Sequence, residues 1–227
     1  MSTEVEPAVY RNGLLTRAHR LFEIPALFDV YQVLVDGGKH APVSEFLREV
    51  PYETVLDLGC GTGAWSYLTR TRYLGIDFSP SFVAGCRRRF ANDPRKSFEV
   101  GDVESIAVDE RYDLALMMSV LHHLSDAQAR RLLDRLSNCA SRVVVMDLMP
   151  NPGNPISRLL YRLDRGDFIR STDAQRRLLL ESADWKLERE DAFYSYNRLY
   201  RHTLFLLCSP SPRTTASVTD PIRTYAH

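Results

Sequence analysis

The segment from Val55 to Trp65 constrains the fold of this chain more than any other. It reads V-L-D-L-G-C-G-T-G-A-W, so an apolar strand signal over 54–58 runs into a turn with glycine at every second position and then toward a helix. Glycine lets a backbone adopt positive φ and approach a ligand without a Cβ in the way. This succession is typical of α/β sheets in which a nucleotide-like ligand meets backbone N–H groups and the positive end of a helix.

Two acidic residues stand in register with this turn. Asp57 precedes the first glycine, and Asp77 follows twenty positions later at the end of the next apolar run. The spacing is D-x-G-x-G-x-G and differs from the G-x-G-x-x-G of dinucleotide-binding proteins. It resembles the first strand and loop of class I S-adenosylmethionine (SAM)-dependent methyltransferases, and the resemblance covers about residues 53–208.

The resemblance implies an α/β fold with a Rossmann-like, seven-stranded, mostly parallel sheet and helices on both faces. The alternation of strand and helix signals agrees with that fold class. We expect an N-terminal helical cap or lid over 1–50 and a SAM-binding core over 51–208, in which 149–171 is an insertion on the substrate side. The Pro-, Ser- and Thr-rich composition after 208 predicts a disordered tail over 209–227. Strands are predicted over 54–58, 73–77, 97–101, 112–118, 142–148, 185–194 and 201–208.

Capping signals predict where several helices begin. Ser79 followed by Pro80 indicates a helix start. Ser125 with Gln128, and Thr172 with Gln175, are expected to form capping boxes. A further helix is predicted over 43–50, ahead of the first strand.

The resemblance also implies SAM as the cofactor and assigns roles to the loop. Gly59, Cys60 and Gly61 would surround the amino-acid part of SAM through backbone contacts. Asp57 would hold either the loop or the SAM ammonium. Gly63 belongs to the same predicted cofactor site.

The ends of the later strands supply the rest of the predicted cofactor site. Asp77 would accept hydrogen bonds from both ribose hydroxyls, and Phe78 would lie against the adenine. Asp102 would accept from the adenine amino group, since an ionised carboxylate aimed by a strand end suits both tasks. The alternative is that the three acids at 57, 77 and 102 are turn or cap residues. Val103 and Met118 complete the predicted cofactor-binding residues.

His122 and His123 are the candidate catalytic residues, because they follow the fourth predicted strand where the resemblance places the acceptor. A histidine there can take the proton from a hydroxyl or amine during methyl transfer. The alternative is that both are structural and that placement and desolvation suffice. We expect no metal, since Asp147 ends the fifth strand without the Asp-Asn companion of metal-dependent relatives.

The charged end of the insertion has two interpretations. Arg165 or Arg170 could bind a carboxylate or phosphate of the acceptor. The same residues could instead form an internal salt-bridged turn.

Composition narrows the function classes. The 29 basic and 29 acidic residues cancel, so the whole chain carries no electrostatic footprint for nucleic acid. The four cysteines are scattered, without a C-x-x-C pair or a secretory segment at Met1, which favours free thiols in a reducing cytoplasm. No apolar run approaches the length of a membrane span.

We therefore expect a cytoplasmic SAM-dependent methyltransferase that modifies O or N of a small-molecule acceptor in specialised metabolism, as a monomer or homodimer. One alternative is an RNA- or protein-directed methyltransferase. Another is a SAM-fold protein without methyl transfer, acting as a regulatory or binding partner or as a cyclase.

Overall fold

The computed structural model describes residues 30, 37–103, 110–149, 155–157, 168–182, 185–196 and 198–209. Most of the predicted helical cap, most of the insertion and the tail beyond 209 lie outside these residues. All structural statements below concern the described part of the chain.

One seven-stranded sheet organises the described residues, in the order β3-β2-β1-β4-β5-β7-β6. The first five strands in that order are parallel, whereas β7 runs antiparallel to both β5 and β6. The mostly parallel Rossmann-like sheet is confirmed, and β7 lies in its interior as a strand apolar on both faces should. The strands are β1 (Thr54–Leu58), β2 (Arg72–Asp77), β3 (Lys96–Val100), β4 (Tyr112–Met118), β5 (Ala140–Leu148), β6 (Lys186–Tyr194) and β7 (Arg201–Cys208).

Four described α-helices cover the two faces of this sheet. They are α1 (His40–Leu47), α2 (Pro80–Arg89), α3 (Asp126–Cys139) and α4 (Thr172–Leu180). Residues of α1 and α2 share one apolar core with the sheet, and residues of α3 and α4 share a second core on the opposite face. The carboxyl ends of the parallel strands therefore open between two helical layers, where ligands bind in this class of sheet.

The predicted helix caps are confirmed at two of three places, whereas the helix predicted over 43–50 is α1 and lies three residues earlier, at His40–Leu47. Ser79 accepts a hydrogen bond from Phe82 N ahead of Pro80, and Ser125 forms the expected reciprocal box with Gln128. The third was wrong by one residue, because Ser171 caps α4 and accepts from Ala174 N. Thr172 is instead the first helical residue.

The helix expected after the glycine-rich turn is replaced by a single 3₁₀ turn at Ser66–Leu68. Turns occupy 61–65, and Trp65 is buried against the α1 side of the sheet. A three-residue turn presents far fewer aligned N–H groups than an α-helix. The expected positive helix end at this loop is therefore absent from the described residues.

Candidate active site

The glycine-rich loop after β1 directs its N–H groups into the protein. Gly59 N and Cys60 N both donate to Ile76 O, at 2.8 and 3.0 Å, and Gly61 N donates to Oδ2 of Asp77 at 2.8 Å. These three groups hold the loop against β2, contrary to the expectation that loop N–H groups meet the ligand. The protein must therefore recognise a ligand at this loop chiefly through hydrogen-bond acceptors.

Two of the loop glycines are required by packing as well as by backbone angle. Gly59 has φ 70°, and a Cβ there would lie 2.7 Å from Cγ2 of Val120. Gly63 has φ 76°, and a Cβ there would lie 2.8 Å from Cε2 of Phe90. Gly63 therefore faces the core beneath α2 rather than a ligand, whereas Gly59 joins the loop to the turn after β4.

Asp57 is the most unusual acid in the structure. Its side chain is fully buried, and Oδ2 accepts the hydroxyl hydrogen of Tyr73 at 2.5 Å. Oδ1 is buried and has no hydrogen-bond partner. The pKa of Asp57 is raised from an ordinary value of 3.8 to about 7, chiefly by burial; the hydrogen bond from Tyr73 opposes the rise and the nearby Asp77 adds to it. A buried acceptor without a partner calls for a donor that the protein alone does not provide.

Asp77 ends β2, as predicted, and ties the loop to the next helix. Its Oδ2 accepts from Gly61 N and its Oδ1 from Ser79 N, both at 2.8 Å. Burial raises the pKa of this carboxyl, and the hydrogen bonds from Ser79 and Gly61 act against that rise. The structure therefore gives Asp77 the turn-holding role that was the alternative, but a carboxylate with about four acceptor positions retains capacity for hydroxyl donors.

The neighbouring strand ends place the adenine-side candidates around Asp77. Gly101 N donates to Asp77 O at 3.0 Å, which holds the exposed Asp102 beside the end of β2. Phe78 follows Asp77 directly and is 71 % exposed, so its ring is available to a planar ligand. Val103 is half-buried and packs on the α3 side of the sheet.

Met118 and Ser119 form the end of β4. Met118 is buried in the core on the α1 and α2 side. Ser119 has φ 61°, which is uncommon for a residue with a side chain, and its N–H donates to Met146 O at 2.7 Å. Its Oγ is buried without a hydrogen-bond partner. Strain and an unpartnered hydroxyl therefore coincide where β4 ends.

His122 and Asp147 form a buried pair across the ends of β4 and β5. Nδ1 of His122 hydrogen-bonds Oδ1 of Asp147, and their side chains are 3 % and 2 % exposed. The same Asp147 oxygen accepts from Leu148 N at 2.8 Å. A carboxylate only accepts, so Nδ1 carries the hydrogen, and Nε2 carries the lone pair whenever the ring is neutral.

His123 differs from its neighbour in exposure. It is exposed, and its ring lies 4.1 Å from that of His122, centroid to centroid, at an interplanar angle of 44°. The two candidate histidines therefore separate into one that an acid orients and one that packs against it at the surface. The geometry favours His122 for proton transfer.

Other features of the described residues bear on the remaining predictions. No three His, Cys, Asp or Glu side chains among them converge as metal ligands. The thiols of Cys60 and Cys86 lie 3.9 and 3.4 Å from Gly61 O, and all four cysteines are free. No described helix is both long and apolar enough to cross a bilayer. A groove of about 190 Å³ between β1 and α3 includes Val103 and no other predicted site residue, so it is not the site built above.

Sequence reasoning missed three contributors to this site. Asp147 carries the same signal as Asp77, an acid at the end of a buried strand, but was weighed only as a metal ligand. Tyr73 reads as an ordinary strand residue, and only the β1–β2 pairing places it beside Asp57. Ser119 has no sequence signal, since nothing in its neighbourhood predicts positive φ for a serine.

The fold and the site together define a class of protein. The strand order, the glycine-rich loop between β1 and β2 and the polar residues at the strand ends are those of the Rossmann-like class I methyltransferase fold. Residues 55–142 match a family model described as a methyltransferase domain. Over residues 55–142 the chain is therefore similar to methyltransferase domains, and its fold is the one found in solved methyltransferase structures.

Individual relatives agree with this assignment. The chain is 33 % identical over 136 residues to trans-aconitate 2-methyltransferase of Methylobacterium nodulans, covering 54 % of this chain and 49 % of the relative. It is 30 % identical over 199 residues to acetylserotonin O-methyltransferase of Bos taurus, covering 82 % of this chain and 55 % of the relative. The chain thus spans about half the length of these relatives.

The crystal structure of the N-methyltransferase NodS from Bradyrhizobium japonicum WM9, in complex with S-adenosylhomocysteine (SAH), superposes with a TM-score of 0.67. The sequence identity is 16 %, with 85 % of this chain and 98 % of that chain covered. At this identity the similarity establishes the fold.

Proposed function

We propose that the chain binds SAM across the carboxyl ends of β1, β2 and β4 and transfers its methyl group to a hydroxyl of a small-molecule acceptor. The observation that carries this proposal is the buried His122–Asp147 pair, which orients an imidazole beside the cofactor loop. The Gly59–Val120 approach joins that loop to the turn bearing His122. A positioned base and a cofactor loop in contact are what hydroxyl methylation uses.

The residues at the loop fit SAM better than a phosphate-bearing cofactor. A phosphate needs convergent N–H donors, and the N–H groups of residues 59, 60 and 61 are committed to β2. SAM instead carries an ammonium donor and a positive sulfonium. Oδ1 of Asp57 and Oγ of Ser119 are buried oxygens without partners, suited to such a donor, and the acids at 57 and 77 complement the positive charge.

The other end of the cofactor would lie over the ends of β2 and β3. Asp77 would accept from ribose hydroxyls with the acceptor positions that Gly61 N and Ser79 N do not use. Phe78 would cover the adenine, and Asp102 would accept from its amino group. Gly63 supports the loop from below and Met118 is buried in the core, so we assign them supporting roles.

His122 would act as the general base. When bound, SAM supplies an electrophilic methyl group that needs no further activation. Nε2 of His122 would take the hydroxyl proton as the acceptor oxygen attacks, and Asp147 would stabilise the imidazolium through the hydrogen at Nδ1. A hydroxyl is a poor nucleophile until it loses that proton, whereas a neutral amine attacks without assistance. The dyad therefore favours O over N as the methylated atom.

The names of the relatives support a small acceptor. Trans-aconitate 2-methyltransferase and acetylserotonin O-methyltransferase are both named for small molecules. The zero net charge of this chain gives no reason to expect a nucleic acid. The cytoplasmic location and the monomeric or dimeric state stay predictions.

A labelled-methyl screen tests the proposal. The protein is incubated with SAM carrying a deuterated methyl group and a panel of phenols, carboxylic acids, alcohols and amines, and products are read by mass spectrometry. We expect label on hydroxyl-bearing acceptors with the wild-type protein and with His123→Ala, and strong reduction with His122→Ala. Label confined to amines, or undiminished labelling by a folded His122→Ala protein, would overturn the assignment.

A further inference from the structure

The residues leading into α4 bind the turn that carries His122. Phe168 N donates to His122 O at 3.0 Å. Arg170 donates from Nη1 to Leu121 O at 3.0 Å and from Nη2 to Leu124 O at 2.6 Å. One guanidinium thus spans the 3₁₀ turn at Leu121–His123 and binds carbonyls on both sides of His122. Leu121 O also accepts from Leu124 N within the turn, at 3.1 Å.

The same stretch also binds the strand end that carries Asp147. Nε2 of Gln175 donates to Leu148 O at 2.8 Å and to Arg170 O at 3.1 Å. Thr203 donates to Oε1 of Gln175 at 2.5 Å and to Asp147 O at 3.4 Å. Gln175 is 1 % exposed, so these are interior bonds that fix the relative position of the segments joined.

The environment of Arg170 suits a residue that joins segments of the protein better than one that binds a ligand. Its side chain is 10 % exposed, and Nε donates to Oδ1 of Asp126 at 2.9 Å while Nη1 also donates to Phe168 O at 2.9 Å. The guanidinium therefore donates to carbonyl and carboxylate oxygens of the protein. These contacts agree with the internal salt-bridged turn and not with binding of the methyl acceptor. Arg165 lies outside the described residues. A lysine could not reproduce this planar, two-pronged geometry.

We propose that Arg170 is a positioning residue for the His122–Asp147 dyad, which rests on the proposed function of that dyad. Arg170 holds the His122 turn, and its own carbonyl is held by Gln175 against the end of β5. His122 therefore presents Nδ1 to Asp147 and keeps Nε2 as its basic nitrogen. Among the described residues, the charged or titratable groups that contact the ring or its turn include Asp147, His123 and Arg170, which pairs with Asp126.

Four substitutions separate positioning from general stability. Arg170→Gln removes the fork, and Arg170→Lys keeps the charge without the fork. Asp126→Asn weakens the ion pair but leaves both carbonyl contacts of Arg170. Arg130→Gln is the control, because Arg130 lies on α3, as Asp126 does, and pairs with Glu181 at 3.2 Å without contacting the His122 turn in any described bond.

The test is nitrogen-detected NMR of the His122 ring in the full-length protein without cofactor, which reports which ring nitrogen carries the hydrogen. We expect one tautomer with hydrogen on Nδ1 in the wild type, in Asp126→Asn and in Arg130→Gln. Arg170→Gln should give mixed tautomers, as Asp147→Asn should. A folded Arg170→Gln protein with the wild-type tautomer would overturn the proposal.

A second variant and a kinetic measurement extend this test. If Arg170→Gln does not fold, Arg170→Lys must show the same change of tautomer, and a wild-type signal there overturns the proposal. With an acceptor from the labelled-methyl screen, Arg170→Lys should lower kcat roughly 10- to 100-fold at unchanged SAH affinity. The NMR result does not depend on methyl transfer, so failure of the proposed function is seen separately, as an absence of labelled product.

Discussion

Tyr73 donates its hydroxyl hydrogen to Oδ2 of Asp57 across the β1–β2 pair, while Oδ1 of the same carboxylate is buried without a partner. Asp57 is therefore half satisfied in the folded protein, and burial raises its pKa to about 7. An acid in this state makes both folding and cofactor binding depend on pH near neutrality.

The free energy of unfolding should depend on pH in a way that reflects the raised pKa of Asp57. Its pKa is about 7 when folded and 3.8 ordinarily, so the folded state holds a proton that the unfolded chain releases. The free energy of unfolding contributed by this group therefore falls as pH rises from about 4 to about 7. The difference in free energy of unfolding between Asp57→Asn and wild type should therefore shift in favour of Asp57→Asn by roughly 3 kcal/mol from pH 5 to pH 8. Urea unfolding at the two pH values measures this shift.

Asp113 provides a control of opposite sign. Although burial acts to raise its pKa, hydrogen bonds from Glu53 and Thr54 outweigh it, and the pKa is lowered. Its contribution to stability is present above its unfolded pKa and is lost in acid. Asp113→Asn should therefore lose more stability at pH 8 than at pH 3, and a flat profile for Asp57→Asn relative to wild type would contradict the buried-acid account.

Cofactor affinity should follow the ionisation of Asp57. An ammonium near Oδ1 favours the carboxylate, so binding below about pH 7 must release a proton. The affinity for SAH should weaken by up to about tenfold for each pH unit below 7, and Asp57→Asn should remove that dependence. Calorimetry in buffers of different ionisation enthalpy measures the released proton, and a binding enthalpy independent of buffer at pH 6 would contradict the prediction.

The loop and the turn after β4 should be energetically coupled through Gly59 and Val120. Gly59→Ala places a methyl group 2.7 Å from Val120 Cγ2 at φ 70°, so it should destabilise through both contact and backbone strain. Val120→Ala should relieve the contact and leave the strain. Urea unfolding of wild type, the two single variants and the double variant should give a coupling free energy of about 1 kcal/mol or more. Strictly additive changes in the free energy of unfolding would show that residues 59 and 120 do not interact.

The strands were predictable because their signals are local. Apolar runs bounded by turn residues located every strand to within two residues, and β1, β4 and β7 match their predicted bounds. The missing helix after the loop was not predictable in this way. Trp65 and Leu68 carry an apolar spacing that suits a helix, but both are buried in the α1 and α2 core by a single 3₁₀ turn.

The candidate site was predictable as a set of strand ends but not as a set of partners. Acids following apolar runs identified Asp57, Asp77 and Asp102. Which donor each acid meets depends on cross-strand register, as Tyr73 shows, and on contacts between residues far apart in sequence. The His122–Asp147 pair spans 25 positions and forms only because β4 and β5 are neighbours.

The two histidines should differ in their kinetic roles. His122→Ala removes the oriented base and should lower kcat by about 10²- to 10⁴-fold, with SAH affinity little changed. Asp147→Asn should lower kcat in the same direction, because the amide does not hold the Nδ1–H tautomer as a carboxylate does. His123→Ala serves as the matched control on the same turn. Steady-state kinetics with an identified acceptor measure all three, and equal losses for the two histidines would contradict the distinction.

Calorimetric titration of SAH at pH 8 into wild-type protein and Gly61→Val tests the central claim most directly. Gly61 has φ 53°, which a β-branched residue adopts only with strain, so the substitution should distort the loop while leaving the sheet intact. Gly85→Val, the same change inside α2, is the control, and circular dichroism checks that each protein is folded. We predict binding of SAH by wild type and by Gly85→Val and none by folded Gly61→Val. Absence of binding by the wild-type protein, or equal affinity in Gly61→Val, would contradict a SAM site built on this loop.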